Sequence, residues 1–209
     1  MKNEKLLILG FGGHARSVAD VAITCGYRKL LFVDVNASKN ETFLGHPVVR
    51  DFSDIDGSWS EAFPASGDAD QRQCHYETAL SKGMKLVNLI SPRASIGLGA
   101  TIKTGIFVGH HAHIGPMAVV GRGCIVNTGA IVEHESVIGE FSHISVNSVI
   151  AGRSSLGSFA MLGAGATIID GVSVTDRVII GAGAVVVYPI NAAGTYVGIP
   201  ARRHGSTLG

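Results

Sequence analysis

The sequence carries little charge, and its apolar residues are not gathered into any long run. Charged residues make up 16% of the chain and the formal net charge is +1, so neither a basic field for nucleic acid nor an acidic tail for a cationic partner is present. No apolar run approaches the ~20 residues that a membrane span needs, and the run near the N-terminus is too short for a signal-peptide core. We therefore expect no nucleic-acid partner and no membrane span.

Cysteines are also few. Cys25, Cys74 and Cys124 are odd in number and widely spaced, and no CxxC pair occurs. This usage predicts free thiols in a reducing compartment rather than a disulfide framework. We accordingly expect a cytoplasmic protein.

The first part of the chain alternates apolar runs with helical patterns. KLLILG and KLLFVD predict strands, GHARSVADVAITCGY predicts a helix that Gly26 stops, and ADQRQCHYETALSKG predicts a second helix that ends at Gly83. MKLVNLI predicts a further strand, whereas residues 35–68 are irregular and support no assignment. The alternation predicts a small, largely parallel, Rossmann-like α/β domain over residues 1–88.

A period of six begins after that domain. Written in sixes from Pro92, the chain has Ile, Val or Leu at the fifth position of sixteen successive blocks, from Ile96 to Val186. Small or β-branched residues such as Ser136 stand two places earlier, on the same strand face, and glycines just after the aliphatic residue suit corners. The pattern predicts a hexapeptide-repeat parallel β-helix over residues 89–190, followed by a tail over 191–209.

The hexads resemble those of the left-handed β-helix acyltransferases. Together with ILGFGGHARSVADVA, VNLISPRASIG, GAIVEHESVIGEFSHISVNSVIAG and YVGIPARR, they resemble the sialic acid O-acetyltransferase (NeuD-like) family over nearly the whole chain. Within it they look most like the PglD-like enzymes, which N-acetylate the 4-amino group of a nucleotide-linked (UDP, dTDP or GDP) amino-deoxy sugar in bacterial glycan biosynthesis. The resemblance implies a homotrimer that binds acetyl-CoA between adjacent β-helices, with active sites between subunits and no required metal.

Two histidines stand out in IVEHESVIGEFSHIS, residues 131–145. His134 lies near a corner and His143 directly precedes an inward aliphatic residue, so both should point outward. Nine residues is half a coil of three hexads, so the two would converge most easily across a subunit interface. The resemblance implies that His134 is the general base, that Glu135 holds its imidazole and makes it more basic, and that His143 lies near the thioester. Histidine titrates near neutrality, which suits removal of a proton from an attacking amine.

The segment GFGGHA follows a predicted strand and opens a helix, the setting in which backbone N–H groups hold phosphate. It lacks the third glycine of the dinucleotide fingerprint, so a simple tight turn is the alternative. The resemblance assigns Gly12, Gly13 and His14 to the diphosphate of the sugar nucleotide and Gly67 to a nucleotide loop. Asp34 is placed to accept from ribose hydroxyls. The resemblance implies a second acidic residue at the position of Val35. Because this chain lacks it, the identity of the nucleotide base stays open.

The resemblance also places acetyl-CoA contacts at Gly152, Ala164 and Ala182, mostly through the backbone. The N–H of Gly152 is a candidate donor to the oxyanion that develops in acyl transfer. In the motif GIPARR, Arg202 or Arg203 would pair with CoA phosphates, since guanidinium matches phosphate geometry. A solvated tail is the alternative for this arginine pair.

Three other interpretations remain open. GHHAHIG supplies His110, His111 and His113, which suggests a β-helical zinc carbonic anhydrase type, although adjacent outward residues point apart. A catalytically silent β-helical scaffold with a nucleotide-sensing α/β part is the second, and O-acetylation of a sialic acid is the third. Zinc analysis of the purified protein tests the first interpretation, and an acetyl-transfer assay tests the second. A comparison of a nucleotide-linked amine with sialic acid as acceptor tests the third.

Overall fold

The computed structural model of the chain describes residues 4–205, which divide into two units between Ser91 and Pro92. The first unit holds a six-stranded sheet in the order β3-β4-β2-β1-β5-β6, in which β3 and β4 pair antiparallel and the other neighbours pair parallel. The strands are β1 Lys5–Leu9, β2 Lys29–Val33, β3 Thr42–Phe43, β4 His46–Val49, β5 Glu61–Pro64 and β6 Lys85–Leu86, and the helices are α1 Gly13–Thr24 and α2 Ala69–Ser81.

The sheet forms around β1, which pairs with β2 and β5 on its two edges and whose apolar residues Leu6–Leu9 are all buried. The predicted strands β1 and β2 and both predicted helices are confirmed, and Gly26 follows α1 with a φ of 99°. The prediction of one strand in MKLVNLI is wrong, since β6 and β7 (Leu89–Ile90) are separate. Pro64 ends the neighbouring strand β5 and has no N–H to extend the pairing with β6.

The second unit is a left-handed β-helix, as the resemblance implied. Its strands pair in parallel with partners 18 residues away, such as His113 with Ile131 and Ile131 with Val149, so three hexads make one coil. The first face contains β8 Ser95–Ile96, β11 His113–Ile114, β14 Ile131–Val132, β17 Val149–Ile150, β20 Thr167–Ile168 and β23 Val185–Val186. The second face contains β9 Thr101–Ile102, β12 Val119–Val120, β15 Val137–Ile138, β18 Ser155–Leu156 and β21 Ser173–Val174.

The third face carries the C-terminal segment. It contains β10 Phe107–Val108, β13 Ile125–Val126, β16 His143–Ile144, β19 Met161–Leu162 and β22 Val178–Ile180, followed by β24 Gly194–Val197 and the antiparallel β25 Arg202–Arg203. From Val108 to Val186 every fifth-position residue of the hexads is buried. The aliphatic period therefore builds the core of this unit.

The corners of the β-helix share a backbone conformation that the sequence pattern did not predict. The second hexad position has a left-handed backbone, with φ between 54° and 72°, at every sixth residue from Gly99 to Gly183. The glycines after the aliphatic residue have a different role. A Cβ on Gly115 or Gly121 would come within 2.6 or 2.8 Å of a backbone nitrogen in the next coil, so these glycines permit close stacking of coils rather than positive φ.

Candidate active site

A cleft of about 380 Å³ opens in the first unit, where the loops after β1, β2 and β5 meet. Because β2 and β5 lie on opposite sides of β1, this is the point at which open α/β sheets bind ligands. The structure brings all five predicted substrate residues into the lining of this cleft: Gly12, Gly13, His14, Asp34 and Gly67.

The glycines of the first loop leave space. Gly12 is the N-cap of α1 in an extended conformation without a side-chain cap, and a Cβ on Gly12 or Gly13 would meet nothing within 4 Å. The first N–H groups of a helix have no intrahelical acceptor and favour anions. The start of α1 can therefore receive a phosphate at close range.

Asp34 links two of the loops. Its Oδ2 accepts the N–H of Phe11 and its Oδ1 accepts the N–H of Asn36, both at 2.9 Å. A carboxylate has about four acceptor positions, so both oxygens retain capacity for a ligand hydroxyl. The carboxylate is thereby held in the cleft by the backbone of the loops that surround it.

A buried arginine supports the loop of Gly67. The side chain of Arg72 is almost fully buried, and its Nη1 donates to the carbonyls of Ser66, Gly67 and Asp68 at 2.9, 3.0 and 3.2 Å. Asp68 also caps α2 by accepting the N–H of Gln71 at 2.8 Å. Sequence reasoning missed Arg72, since a helical arginine is ordinarily solvent-facing.

His75 is a second residue that sequence reasoning missed. It lines the cleft, and its Nδ1 is buried without a hydrogen-bond partner among residues 4–205. Burial lowers the pKa of His75, and this outweighs the opposing effects of the Leu9 carbonyl and Asp34. The cleft is therefore lined on this side by an imidazole that favours its neutral form.

The second unit places His134 and Glu135 at the corner after β14. The Nδ1 of His134 lies 3.2 Å from Oε2 of Glu135, and the side chain of His134 is 46% exposed. A proton on Nδ1 satisfies this contact, which assigns Nε2 as the acceptor atom of the neutral ring. Glu135 occupies a left-handed corner position with a φ of 59°.

One coil further on, Gly152 lies under the ring of His134. A Cβ on Gly152 would collide with Nε2 and Cε1 of His134, and it would lie 3.1 Å from Oδ1 of Asp170. The N–H of Gly152 has no protein acceptor within residues 4–205. Only a glycine leaves this space between imidazole and carboxylate open.

The other oxygen of Asp170 is engaged. Its Oδ2 pairs with Nη2 of Arg153 at 2.5 Å. This hydrogen bond is the main cause that raises the pKa of Arg153, and the charge of Glu135 contributes to the same shift. Neither Asp170 nor Arg153 was predicted, although the 18-residue coil places positions 134, 152 and 170 in one column.

His143 lies on the third face of the β-helix and His134 follows the first, so one chain does not bring them together. Nε2 of His143 is 3.2 Å from Nδ2 of Asn127, whose Oδ1 accepts the N–H of Thr128 at 2.8 Å. This orients the amide so that it donates to Nε2 of His143. Asn127 is a further residue that sequence reasoning missed.

The predicted acetyl-CoA contacts fall into two groups. Ala164 and Ala182 lie one coil apart at the corner after the third face, whereas Gly152 lies with His134 at the corner after the first. Arg202 is in the exposed strand β25, and its guanidinium carbon lies 5.6 Å from the ring centre of Tyr188. A single chain thus does not gather these residues into one pocket.

The three clustered histidines do not converge. The rings of His110 and His111 have centroids 6.5 Å apart, and Nδ1 of His113 contacts Oγ of Ser95 at 2.8 Å. Among residues 4–205 no group of three His, Cys, Asp or Glu side chains is arranged to hold a metal ion. No helix in that range is long and apolar enough to span a membrane.

Comparison with known proteins identifies relatives along almost the full chain. The family model of the PglD N-terminal domain matches residues 5–79. No curated protein sequence matches significantly. The acetyltransferase domain of PglB from Neisseria gonorrhoeae FA1090 is 32% identical, with 96% of this chain and 100% of that one covered and a TM-score of 0.89. The same domain has also been solved in complex with acetyl coenzyme A.

A second relative has been solved with both ligands of a transfer reaction. A histidine mutant of perosamine N-acetyltransferase from Caulobacter crescentus, in complex with CoA and GDP-perosamine, is 33% identical to this chain. The match covers 96% of this chain and 97% of that one, with a TM-score of 0.91. The chain therefore belongs to the PglD-like family of hexapeptide-repeat acetyltransferases.

Proposed function

We propose that this protein transfers an acetyl group from acetyl-CoA to the 4-amino group of a nucleotide-linked amino-deoxy sugar. One observation carries the proposal: the chain matches, at 33% identity over 96% of its length, an N-acetyltransferase solved with CoA and GDP-perosamine. The residues that would capture the nucleotide line a cleft of the first unit, and His134, which would remove the proton, lies in the second. Such a product fits bacterial glycan biosynthesis, as the resemblance implied.

The cleft of the first unit would hold the nucleotide. Gly12, Gly13 and His14 at the start of α1 would bind the diphosphate, because the helix end supplies N–H donors and a favourable dipole. Asp34 would accept from ribose hydroxyls, and Gly67 would line the other side on a loop that a buried guanidinium holds. The lining leaves UDP, dTDP and GDP sugars as candidates.

His134 would act as the general base. Its Nδ1 faces Glu135 and its Nε2 borders the space above Gly152, so Nε2 would take a proton from the amine as the nitrogen attacks the thioester carbonyl carbon. The intermediate would collapse with loss of the CoA sulfur, which leaves as the thiol after protonation. The N–H of Gly152 would donate to the oxyanion. Such a base contributes about 10²–10⁴-fold in rate.

Acetyl-CoA would bind between β-helices of adjacent subunits in a homotrimer. The expected contacts, His143, Gly152, Ala164, Ala182 and Arg202, lie at different corners and faces of one chain. In a cyclic trimer each interface joins two different surfaces of the same protein, so neighbouring chains would complete one groove. We assign the reaction to the cytoplasm because the cysteines are free thiols.

A mass-spectrometric acetyl-transfer assay tests the proposal. Acetyl-CoA is offered with UDP-, dTDP- and GDP-linked 4-amino-6-deoxy sugars, and with free sialic acid and a 3-amino sugar nucleotide as controls. We expect acetylation of one 4-amino sugar nucleotide well above all other acceptors. Transfer only to sialic acid would replace the proposal with O-acetylation, and transfer to none of the acceptors would contradict it.

A further inference from the structure

We propose that Asp170 binds the amino group of the acceptor sugar, on the opposite side of Gly152 from His134. The inference rests on the proposed function and adds a residue that selects an amine over a hydroxyl. Asp170 would contact the substrate directly, whereas Arg153 would act through Asp170 as a positioning residue.

The geometry above Gly152 carries the inference. Nε2 of His134 and Oδ1 of Asp170 face the same small space, the volume that a side chain on Gly152 would fill. Both groups stand at the first position of their hexads in one column, two coils apart. An acceptor nitrogen in that space would contact a neutral imidazole on one side and a carboxylate oxygen on the other.

The carboxylate is held in this orientation by its second oxygen. Oδ2 of Asp170 bonds to Nη2 of Arg153, which leaves Oδ1 directed at Gly152. Arg153 also interacts electrostatically with Glu135, the partner of His134. Two polar contacts, between His134 and Glu135 and between Arg153 and Asp170, thus lie near Gly152, and the charge of Arg153 balances part of the charge of the two carboxylates.

The chemistry needs such a group. A primary amine is mainly an ammonium ion near neutral pH, and an ammonium donates to a carboxylate in a charge-assisted hydrogen bond. Asp170 would bind R–NH₃⁺ and His134 would remove one proton to give the nucleophilic R–NH₂. His134 would release that proton to solvent, take the second proton from the nitrogen as it attacks, and pass it to the departing sulfur, so R–NH₃⁺ and acetyl-CoA give the N-acetyl sugar, CoA thiol and one released proton. A sugar with a hydroxyl at this carbon cannot form the ionic contact.

The variant Asp170→Asn tests the inference, with Asp176→Asn as the matched control. Asp176 also stands at the first position of a hexad, at the following corner, and its Oδ1 accepts the N–H of Ser158 at 2.7 Å. For each protein, calorimetry gives the Kd of the 4-amino nucleotide sugar that proves to be the acceptor and of its 4-hydroxy counterpart. Steady-state kinetics gives kcat and KM for the amino sugar.

We expect the wild type and Asp176→Asn to bind the amino sugar at least about tenfold more tightly than the hydroxy sugar. In Asp170→Asn this preference should fall to about twofold or less, and KM should rise about tenfold. Unchanged preference in Asp170→Asn, with an active wild type, would overturn the inference and leave the proposed function intact. A wild type that acetylates no amino sugar would overturn both.

Discussion

The imidazole of His134 lies against Gly152, one coil further along the β-helix, where a Cβ on the glycine would be 2.4 Å from Nε2. The ring has this position because each coil is 18 residues long and because the glycine presents no side chain to it. Oε2 of Glu135 contacts the other ring nitrogen, Nδ1. The ring of His134 and the backbone of Gly152 therefore border one exposed space, which is where the proposed base would deprotonate an acceptor.

Replacement of Gly152 by alanine should displace the imidazole without unfolding the protein. The added methyl would lie only 2.4 Å from Nε2 and 2.5 Å from Cε1 of His134, and a surface side chain moves more easily than the backbone. We expect kcat to fall by about tenfold or more, since misplaced catalytic groups lose rate steeply, with an unchanged circular dichroism spectrum. Gly57→Ala is the control because a Cβ there meets nothing within 4 Å. Wild-type kcat in Gly152→Ala would refute this placement of the base.

Loss of the imidazole should cost more than loss of its partner. We expect His134→Ala to reduce kcat by about 10²–10⁴-fold and Glu135→Gln by a smaller factor, because glutamine keeps an acceptor but not the charge. Glu133→Gln is the matched control, since that carboxylate faces the backbone N–H of His134 at 3.3 Å rather than its ring. If His134→Ala retains more than about a tenth of wild-type kcat, another group is the base.

Arg72 should matter for stability and for nucleotide binding together. In Arg72→Met three carbonyls of the loop at 66–68 lose their buried donor, so the free energy of unfolding should drop by about 1–3 kcal/mol. Urea unfolding measures the drop, and calorimetry should show a weaker Kd for the nucleotide sugar. Arg28→Met, at an exposed pair with Glu4, should change stability by less than about 0.5 kcal/mol. Equal effects of the two substitutions would contradict the supporting role.

His75 should make the protein less stable in acid. Burial lowers its pKa in the folded state, so at pH values below the ordinary histidine pKa of about 6.5 the unfolded chain binds more protons than the folded one. The contribution to stability is present above that pH and is lost as the pH falls. Thermal unfolding from pH 7.5 to 5 should show a fall in Tm that is smaller in His75→Asn than in the wild type. A steeper fall in the variant would contradict the assignment.

Local pattern was enough to predict much of this protein. The aliphatic period of six specifies a β-helix because each short strand is buried only by its neighbours above and below. The alternation of apolar runs with helical patterns specified the α/β part, and the contact between His134 and Glu135 is between adjacent residues. The motif around His134 also led to the correct family. These features depend on residues close together in the chain.

The tertiary structure decided the rest. Arg72 is buried against the loop at 66–68, and His75 lines the cleft because α2 brings it beside Leu9 and Asp34, which lie far from it in the sequence. Three hexads in a coil put positions 134, 152 and 170 in one column, but only the structure shows that the side chains of Asp170 and Arg153 pair there beside His134. Side chains 18 and 36 residues apart meet there because parallel strands stack in register. That register depends on how each coil of 18 residues turns back onto the one before it.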